Sequence, residues 1–262
     1  MSRSTLYGII ALPLITLLGA CSNEGDHNLV VAPGGADVAL TKPGCIHVDP
    51  ANIDPGNFVD EIDNPFYPLT PGAEFVYRSE TKGGVEVTNF FVTFEEKVIL
   101  GVTTTVVHDR LFLDGSLIED TTDWFAQDVD GNVWYFGEDT KELENGVVVS
   151  TAGSWEAGVD GAQPGIIMLA CPRVGDEYRQ EFYSGVAEDK ARVSSLTKRV
   201  SVPFGSFRNC LKTLDFTPLD PDAREYKFYA PGIGLVLETV PGSDVREELI
   251  SVRHLDDDGD LD

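Results

Sequence analysis

Basic residues are scarce in this chain. Its 262 residues include 19 Lys and Arg against 44 Asp and Glu, which gives a formal net charge of −25. A protein of this sign repels a phosphate backbone, so the composition argues against nucleic-acid binding through a basic face. For the same reason, we expect that charge alone does not hold the chain to an anionic membrane.

Signatures of catalysis and metal binding are also missing from the sequence. There is no Cys-x-x-Cys pair, no Gly-x-Ser-x-Gly elbow and no P-loop, and the four histidines lack the spacing of a metal site. His108 and Asp109 are neighbours in a predicted strand, so their side chains point to opposite faces and do not form an acid–base dyad. The sequence therefore favours a protein that is not an enzyme and requires no cofactor.

Long apolar runs are confined to the N-terminus. Leu6–Leu18 is short for a membrane span and has the build of a secretory signal. It ends in the letters LGAC, which resemble the lipobox of bacterial lipoproteins. The resemblance implies that residues 1–20 are removed and that Cys21 receives acyl chains such as palmitate, which anchor the protein to the cell membrane. Because Ser22 follows, and not Asp, it also implies the outer membrane if the host is Gram-negative.

Composition divides the mature chain into three parts. Residues 21–64 hold the lipidated cysteine and a stretch rich in Gly, Pro, Asn and Asp, which predicts a flexible acidic tether. Residues 65–254 are predicted to form one β domain, and residues 255–262 an acidic tail. Asp114–Asp160 carries twelve acids and one lysine, whereas Gly161–Lys227 carries nine acids and ten bases. The first of these segments is therefore a place to expect cations or a basic partner protein.

The predicted domain has the pattern of an antiparallel β protein. From Ala73 onward apolar and polar residues alternate, glycine-containing turns recur, and helical periodicity is nearly absent. Asp114-Gly115 is a signal for a two-residue hairpin turn. The pattern predicts a sandwich, a barrel or a large curled sheet.

Four motifs carry a resemblance that spans most of this domain. They are NPFYPLTPGAEFVY (Asn64–Tyr77), DWFAQDVDGNVWYFGEDT (Asp123–Thr140), GSWEAGVDGAQPGIIM (Gly153–Met168) and YAPGIGLVLE (Tyr229–Glu238). Together they resemble an uncharacterised family of bacterial secreted proteins and lipoproteins. The resemblance implies an all-β fold on a single curled antiparallel sheet, a half-barrel or lipocalin-like barrel with few short helices and an apolar cavity. The family pattern would also place a cysteine near Thr104, which this sequence lacks.

The sharpest local motif is an acidic turn. Asp128, Asp130 and Asn132 alternate around Gly131, as oxygen ligands do at the start of a Ca²⁺ loop. The letters VWYF that follow indicate a strand, and the Gly and Glu of an EF-hand are missing from their positions, which excludes that motif. The turn is therefore either a calcium site or an acidic hairpin turn.

The segment Trp155–Pro164 is the best candidate for ligand binding. Aromatic, carboxylate and amide side chains together suit sugar or polyol recognition, and paired carboxylates can perform acid–base catalysis. The alternative is a glycine-rich loop that closes one end of a barrel. The candidate residues, which include two on the following strand, are Trp155, Glu156, Asp160, Gln163, Tyr178 and Arg179.

Three cysteines remain once Cys21 is lipidated. Cys45 lies in the predicted tether, whereas Cys171 and Cys210 both lie in the predicted domain. In the oxidising compartment that the signal peptide implies, we expect Cys171 and Cys210 to form a disulfide.

Three functions are compatible with these patterns. The first is a membrane-anchored, non-catalytic lipoprotein whose β domain binds a small ligand, a glycan or a basic partner protein. The second is a hydrolase or lyase that uses Glu156 and Asp160 on an envelope or extracellular polymer. The third is a structural lipoprotein of envelope assembly with an apolar groove at a sheet edge. The missing catalytic signature favours the first.

Overall fold

The computed structural model describes residues 53–256 of the chain. The predicted signal peptide, Cys21, Cys45 and most of the predicted tether and tail lie outside the described residues. Within the described part, the chain is almost entirely β, with one 3₁₀ turn at Pro55–Asn57 and no α-helix. None of its helical turns is long and apolar enough to cross a membrane.

Sixteen strands make up this part of the chain. They are β1 Phe58–Val59, β2 Ala73–Thr81, β3 Gly84–Ile99, β4 Val102–Leu113, β5 Ser116–Asp128, β6 Val133–Glu144, β7 Val147–Ser150, β8 Trp155–Glu156, β9 Gln163–Met168, β10 Glu177–Arg179, β11 Glu181–Phe182, β12 Lys190–Val202, β13 Gly205–Phe216, β14 Arg224–Ala230, β15 Gly234–Thr239 and β16 Arg246–His254.

A single antiparallel sheet runs through thirteen of these strands and nearly closes on itself. Its order is β10-β12-β13-β14-β15-β16-β2-β3-β4-β5-β6-β9-β11. The first and last strands of this order are separated only by Gln180, and they pair with β12 and β9 respectively. The segment Glu177–Phe182 therefore joins the two ends of the sheet into a barrel. The prediction of an all-β fold on one curled antiparallel sheet is confirmed.

The folded part begins before the predicted start at residue 65. Strand β1 pairs with β5, and the backbone N–H of Asn64 donates to Gln127 Oε1 at 2.8 Å. The Asn64 side chain donates to the carbonyl of Gly131 at 2.8 Å. These bonds attach residues 58–64 to the barrel wall, although their composition resembles that of the tether.

The letters VWYF at the start of β6 are buried on both faces of the sheet. On one face, the ring of Phe58 packs edge-on against Trp134 and Phe136, with centroids 6.0 and 5.7 Å apart. On the other face, Tyr135 stacks on Phe125 at 4.8 Å. A strand covered on both sides needs a continuous apolar run, which explains why alternation fails here.

The closing corner depends on a glycine. A Cβ atom added at Gly165 would lie 2.0 Å from the carbonyl oxygen of Gln180. We expect Gly165→Ala to lower the free energy of unfolding by about 1–3 kcal/mol, because the two backbones must move apart. Urea unfolding measures the change. Gly83→Ala is the control, since its Cβ would meet only Thr81 Oγ1 at 3.5 Å, and equal effects for both variants would contradict the steric argument.

The predicted disulfide between Cys171 and Cys210 is wrong. Cys210 is a free, fully buried thiol on β13, whereas Cys171 is engaged in a disulfide and follows β9. The two cysteines belong to separate walls of the barrel, because β13 pairs with β12 and β14 while β9 pairs with β6 and β11. The presence of both cysteines in one domain therefore did not predict that they pair.

Candidate functional site

The acidic turn between β5 and β6 is held together by Asp128. Its carboxylate accepts hydrogen bonds from the backbone N–H groups of Asp130 and Asn132 at 3.0 and 2.9 Å. It also accepts from Asn132 Nδ2 and Trp134 Nε1, both at 2.8 Å. The oxygen of the Asn132 side chain in turn accepts from the backbone of Ala170 at 2.8 Å. Of the side chains expected to bind calcium, Asp128 and Asn132 thus have their oxygens occupied by protein donors, whereas Asp130 contributes its backbone N–H to the turn.

A metal site does not emerge elsewhere in the described chain. Across residues 53–256, no group of three or more His, Cys, Asp or Glu side chains is arranged to hold a metal ion.

The carboxylates of the Trp155–Pro164 loop do not meet. Glu156 forms an ion pair with Lys97 at 2.7 Å, and the same ammonium lies 3.3 Å above the ring of Trp124. Asp160 is exposed on a turn with a φ of 51°. Neither carboxylate lines the cavity of the barrel. The acid–base arrangement of the hydrolase hypothesis is therefore not assembled by these two residues.

The other candidate ligand-binding residues serve packing or local polar contacts. Trp155 and Tyr178 are buried in the core, and Trp155 packs edge-on against Tyr135 at 5.4 Å. Arg179 donates to Gln163 Oε1 at 3.1 Å and stacks on the ring of Phe182 at 4.0 Å. In the structure this segment forms part of the barrel wall, since β8 and β9 both pair with β6.

The barrel also holds a larger set of buried ionisable groups, most of which the sequence reasoning did not single out. Ten carboxyl groups and one lysine are buried within residues 53–256. They are Glu86, Asp109, Asp123, Asp128, Glu181, Asp189, Asp215, Glu225, Lys227, Glu238 and Glu247. Buried ionisable groups without full compensation are rare and mark candidate functional sites.

Lys227 lies at the centre of this cluster. Its Nζ is 3.6 Å from Glu238, 3.8 Å from Asp215 and 4.0 Å from Glu225. Burial lowers the pKa of Lys227, but the negative groups Glu238, Asp215 and Glu225 raise it by more, so it stays well above its ordinary value. The barrel therefore encloses a permanent positive charge that a larger number of acids surrounds.

Most of the surrounding carboxyl groups bind protons more tightly than free ones. Burial raises the pKa of Asp123 to about 7, against the opposing hydrogen bond from Tyr135, and burial together with Glu238 raises that of Glu247 to about 8. Burial raises the pKa of Glu119 to about 7 and that of Asp189 to about 8. Desolvation dominates in each case because the charged form loses its water.

A cavity of about 50 Å³ opens against this cluster. Its polar wall consists of Thr88, Asp109, Lys227, Glu238 and Glu247. Its aromatic wall consists of Tyr67, Phe75, Tyr77, Phe90 and Tyr229. A space of this size accommodates a few water molecules or a ligand group of about four non-hydrogen atoms.

Glu238 is the least satisfied group in the cavity. Its exposed fraction is 1%, and the partner that the described residues offer it is the Nζ of Lys227, which lies 3.6 Å from one carboxylate oxygen, with no closer hydrogen-bond donor. Glu247 differs, since Thr88 Oγ1 donates to it at 2.5 Å. A buried acceptor without a donor is unfavourable, so a bound molecule that donates to Glu238 would gain that free energy.

Strand alternation was the sequence signal that could have revealed these residues. Glu225, Lys227 and Tyr229 occupy every second position of β14. Glu238 on β15 pairs with Lys227 on one side and with Glu247 of β16 on the other, so the three side chains lie on the same face of the sheet. Alternation alone does not say which face is inside. The predicted separation of His108 from Asp109 is confirmed, because Asp109 lines the cavity while His108 is half-buried beside Arg110.

The fold and the cavity define a nearly closed antiparallel β-barrel with an acidic, ionisable interior. The chain matches no protein-family model, and no curated protein matches it. Among solved structures, it is similar to the crystal structure of a candidate lipoprotein from Parabacteroides distasonis. The two chains are 13% identical with a TM-score of 0.38, over 72% of this chain and 98% of the other. A likeness this distant carries no argument about function.

Proposed function

We propose that this protein is a lipid-anchored, non-catalytic binding protein of the bacterial cell envelope. The lipobox ending at Cys21 supports the anchor, and the fold leaves an internal cavity that suits a small ligand. The ligand would enter between the aromatic rings and donate to the buried carboxyl groups. The observation that carries the proposal is Glu238, which is buried at this cavity and has Lys227 Nζ at 3.6 Å but no closer donor among residues 53–256.

The chemistry of the cavity favours a small organic cation. Three carboxyl groups, those of Asp109, Glu238 and Glu247, face one ammonium group, that of Lys227. Aromatic ring faces attract cations, and a charged donor to a carboxylate forms the stronger kind of hydrogen bond. A primary amine of about four non-hydrogen atoms matches the available volume.

Calorimetry at pH 8 with ethanolamine, and with ethylene glycol as its uncharged counterpart, tests this proposal. We expect ethanolamine to bind and ethylene glycol not to bind. Glu238→Gln removes the charge but keeps the shape, so it should weaken ethanolamine binding by about 10- to 100-fold. Glu144→Gln, at an exposed position, should leave binding unchanged. Equal binding of both compounds, or full binding by the Glu238→Gln variant, would contradict the proposal.

A further inference from the structure

The β12–β13 hairpin, Lys190–Phe216, has a charge opposite to that of the rest of the protein. It contains six basic residues and one acid, the buried Asp215, which gives +5. The remainder of the chain therefore carries −30, since the whole carries −25. Between residues 195 and 213 the hairpin has four cations and no acid: Lys198, Arg199, Arg208 and Lys212.

Arg192 of this hairpin pairs with Glu177 at 2.6 Å, but three exposed cations nearer the tip lack the counter-ions that many other surface cations have. Arg78, Arg110, Lys141, Arg246 and Arg253 each form an ion pair with a nearby carboxylate. Within the described chain, no ion pair involves Lys198, Arg199 or Arg208, all of which are exposed. The pKa of Lys212 is lowered by partial burial and then by Lys198, and its ammonium lies 3.1 Å above the ring of Tyr226 and not beside a carboxylate.

The hairpin is bent and anchored at its tip. Its pairing register shifts three times between Val193 and Val200, and Asn209 has a φ of 57°. The bend brings the backbone N–H of Phe204 to the carbonyl of Leu249 on β16, at 3.1 Å. Bulges of this kind increase strand bending and re-aim the end of a hairpin. The cations are therefore presented on a surface with a fixed shape.

An aromatic pair lies at that tip. Phe204 is 39% exposed and stacks on Phe207, with centroids 6.4 Å apart. Basic side chains beside exposed aromatic rings are typical of segments that lie in the interface of an anionic bilayer, where the ring enters the acyl boundary and the cations meet lipid phosphates.

From this charge and shape we infer that the β12–β13 hairpin docks the barrel on an anionic phospholipid surface. The strongly negative remainder of the chain is repelled by the same surface, so the barrel would be oriented with this hairpin towards the lipid. The net charge predicted that charge alone does not hold the chain to an anionic membrane. This inference revises that prediction, because the net charge is the sum of a small basic patch and a much larger acidic surface. A lipid anchor would raise the local concentration of the hairpin at the membrane but is not required for the contact.

Hydrogen exchange of the full chain with vesicles tests this inference. With vesicles containing phosphatidylglycerol, we expect slower exchange at residues 198–208, and no change with pure phosphatidylcholine. Each cation near such a surface contributes about 1 kcal/mol, so Lys198→Gln with Arg208→Gln should weaken vesicle binding by about 30-fold. Phe204→Ala should also weaken it, while added salt should weaken the charge-dependent part.

The matched control removes two exposed cations elsewhere, with Lys82→Gln and Arg173→Gln. It changes net charge equally and should leave vesicle binding unchanged. A loss equal to that of the hairpin variant would overturn the inference, as would equal protection by both lipids. Protection by dextran sulfate without protection by phosphatidylglycerol vesicles would assign the hairpin to a soluble anionic polymer and overturn the lipid proposal. Thermal melts establish that each variant is folded.

Discussion

Raising the pH from about 5.5 to about 8.5 is expected to lower the free energy of unfolding of this protein by at least about 3 kcal/mol. Burial raises the pKa of Asp123 to about 7 and that of Glu247 to about 8, from ordinary values of 3.8 and 4.5. The folded chain therefore keeps protons that the unfolded chain releases. A tenfold difference in proton affinity corresponds to about 1.4 kcal/mol, and several groups contribute.

The free energy of unfolding falls with rising pH because the pKa values of these carboxyl groups are higher in the folded chain than in the unfolded chain. The stabilising contribution of these carboxyl groups is complete below the unfolded pKa near 4, and it is lost as the pH rises through 7 and 8. Below the raised values Asp123 and Glu247 are neutral and need no counter-charge. Above them, the barrel must hold several carboxylates around the single ammonium of Lys227.

Urea unfolding followed by circular dichroism at several pH values measures this effect. Asp123→Asn with Glu247→Gln removes two of the titrating groups without changing their shape, so the pH dependence should become shallower. Glu144→Gln, at an exposed position, should keep the slope of the unchanged chain. A stability that stays constant or rises over this range would show that the interior acids are ionised at neutral pH.

Replacing Asp128 by alanine is expected to lower the free energy of unfolding by about 4 kcal/mol or more. The carboxylate accepts four hydrogen bonds at 2.8–3.0 Å and has an exposed fraction of 3%. Without it, the indole N–H of Trp134 and the amide groups of the turn lose their acceptor in a dry environment. Hydrogen bonds to a charged group contribute about 1.5–3 kcal/mol each, and the loss is partial where water can enter.

Asp130→Ala is the matched control for this prediction. Asp130 lies in the same turn but is half-buried, and it joins the hydrogen bonds of the turn through its backbone N–H and not through its carboxylate, so we expect a change within about 0.5 kcal/mol. Thermal melts with millimolar calcium and with EDTA separate the structural role from the calcium hypothesis. We expect no shift, and a calcium-dependent rise that Asp128→Ala abolishes would restore the metal site.

Local patterns predicted the architecture well. Alternation from Ala73 onward and the turn at Asp114-Gly115 recur in the structure, where these two residues adopt φ angles of 48° and 81°. Both signals depend on neighbouring residues only, so a single sequence contains them. The residue at which the fold begins was harder to predict from the sequence, because Asn64 is held by Gln127 and Gly131, more than sixty residues away in the chain.

Local patterns did not predict most of the residues of the candidate site. Trp155, Glu156 and Tyr178 have the chemistry of a binding loop, yet the structure uses them for an edge-on ring contact, an ion pair with Lys97 and core packing. The choice between core and surface is made by residues distant in sequence. The same holds for Cys210 on β13 and Cys171, which follows β9, because these two strands do not pair with each other.

By itself, the sequence determined a β architecture, an acidic overall charge and an N-terminal segment with the form of a lipoprotein signal, since composition and period are local properties. Only the tertiary structure decided that the sheet closes at Gln180 and that Glu238 and Lys227 face one cavity. It also decided that the β12–β13 hairpin presents unpaired cations on an otherwise negative molecule. Strand pairing sets which face turns inward and which charges become neighbours, and that pairing joins residues far apart in the chain.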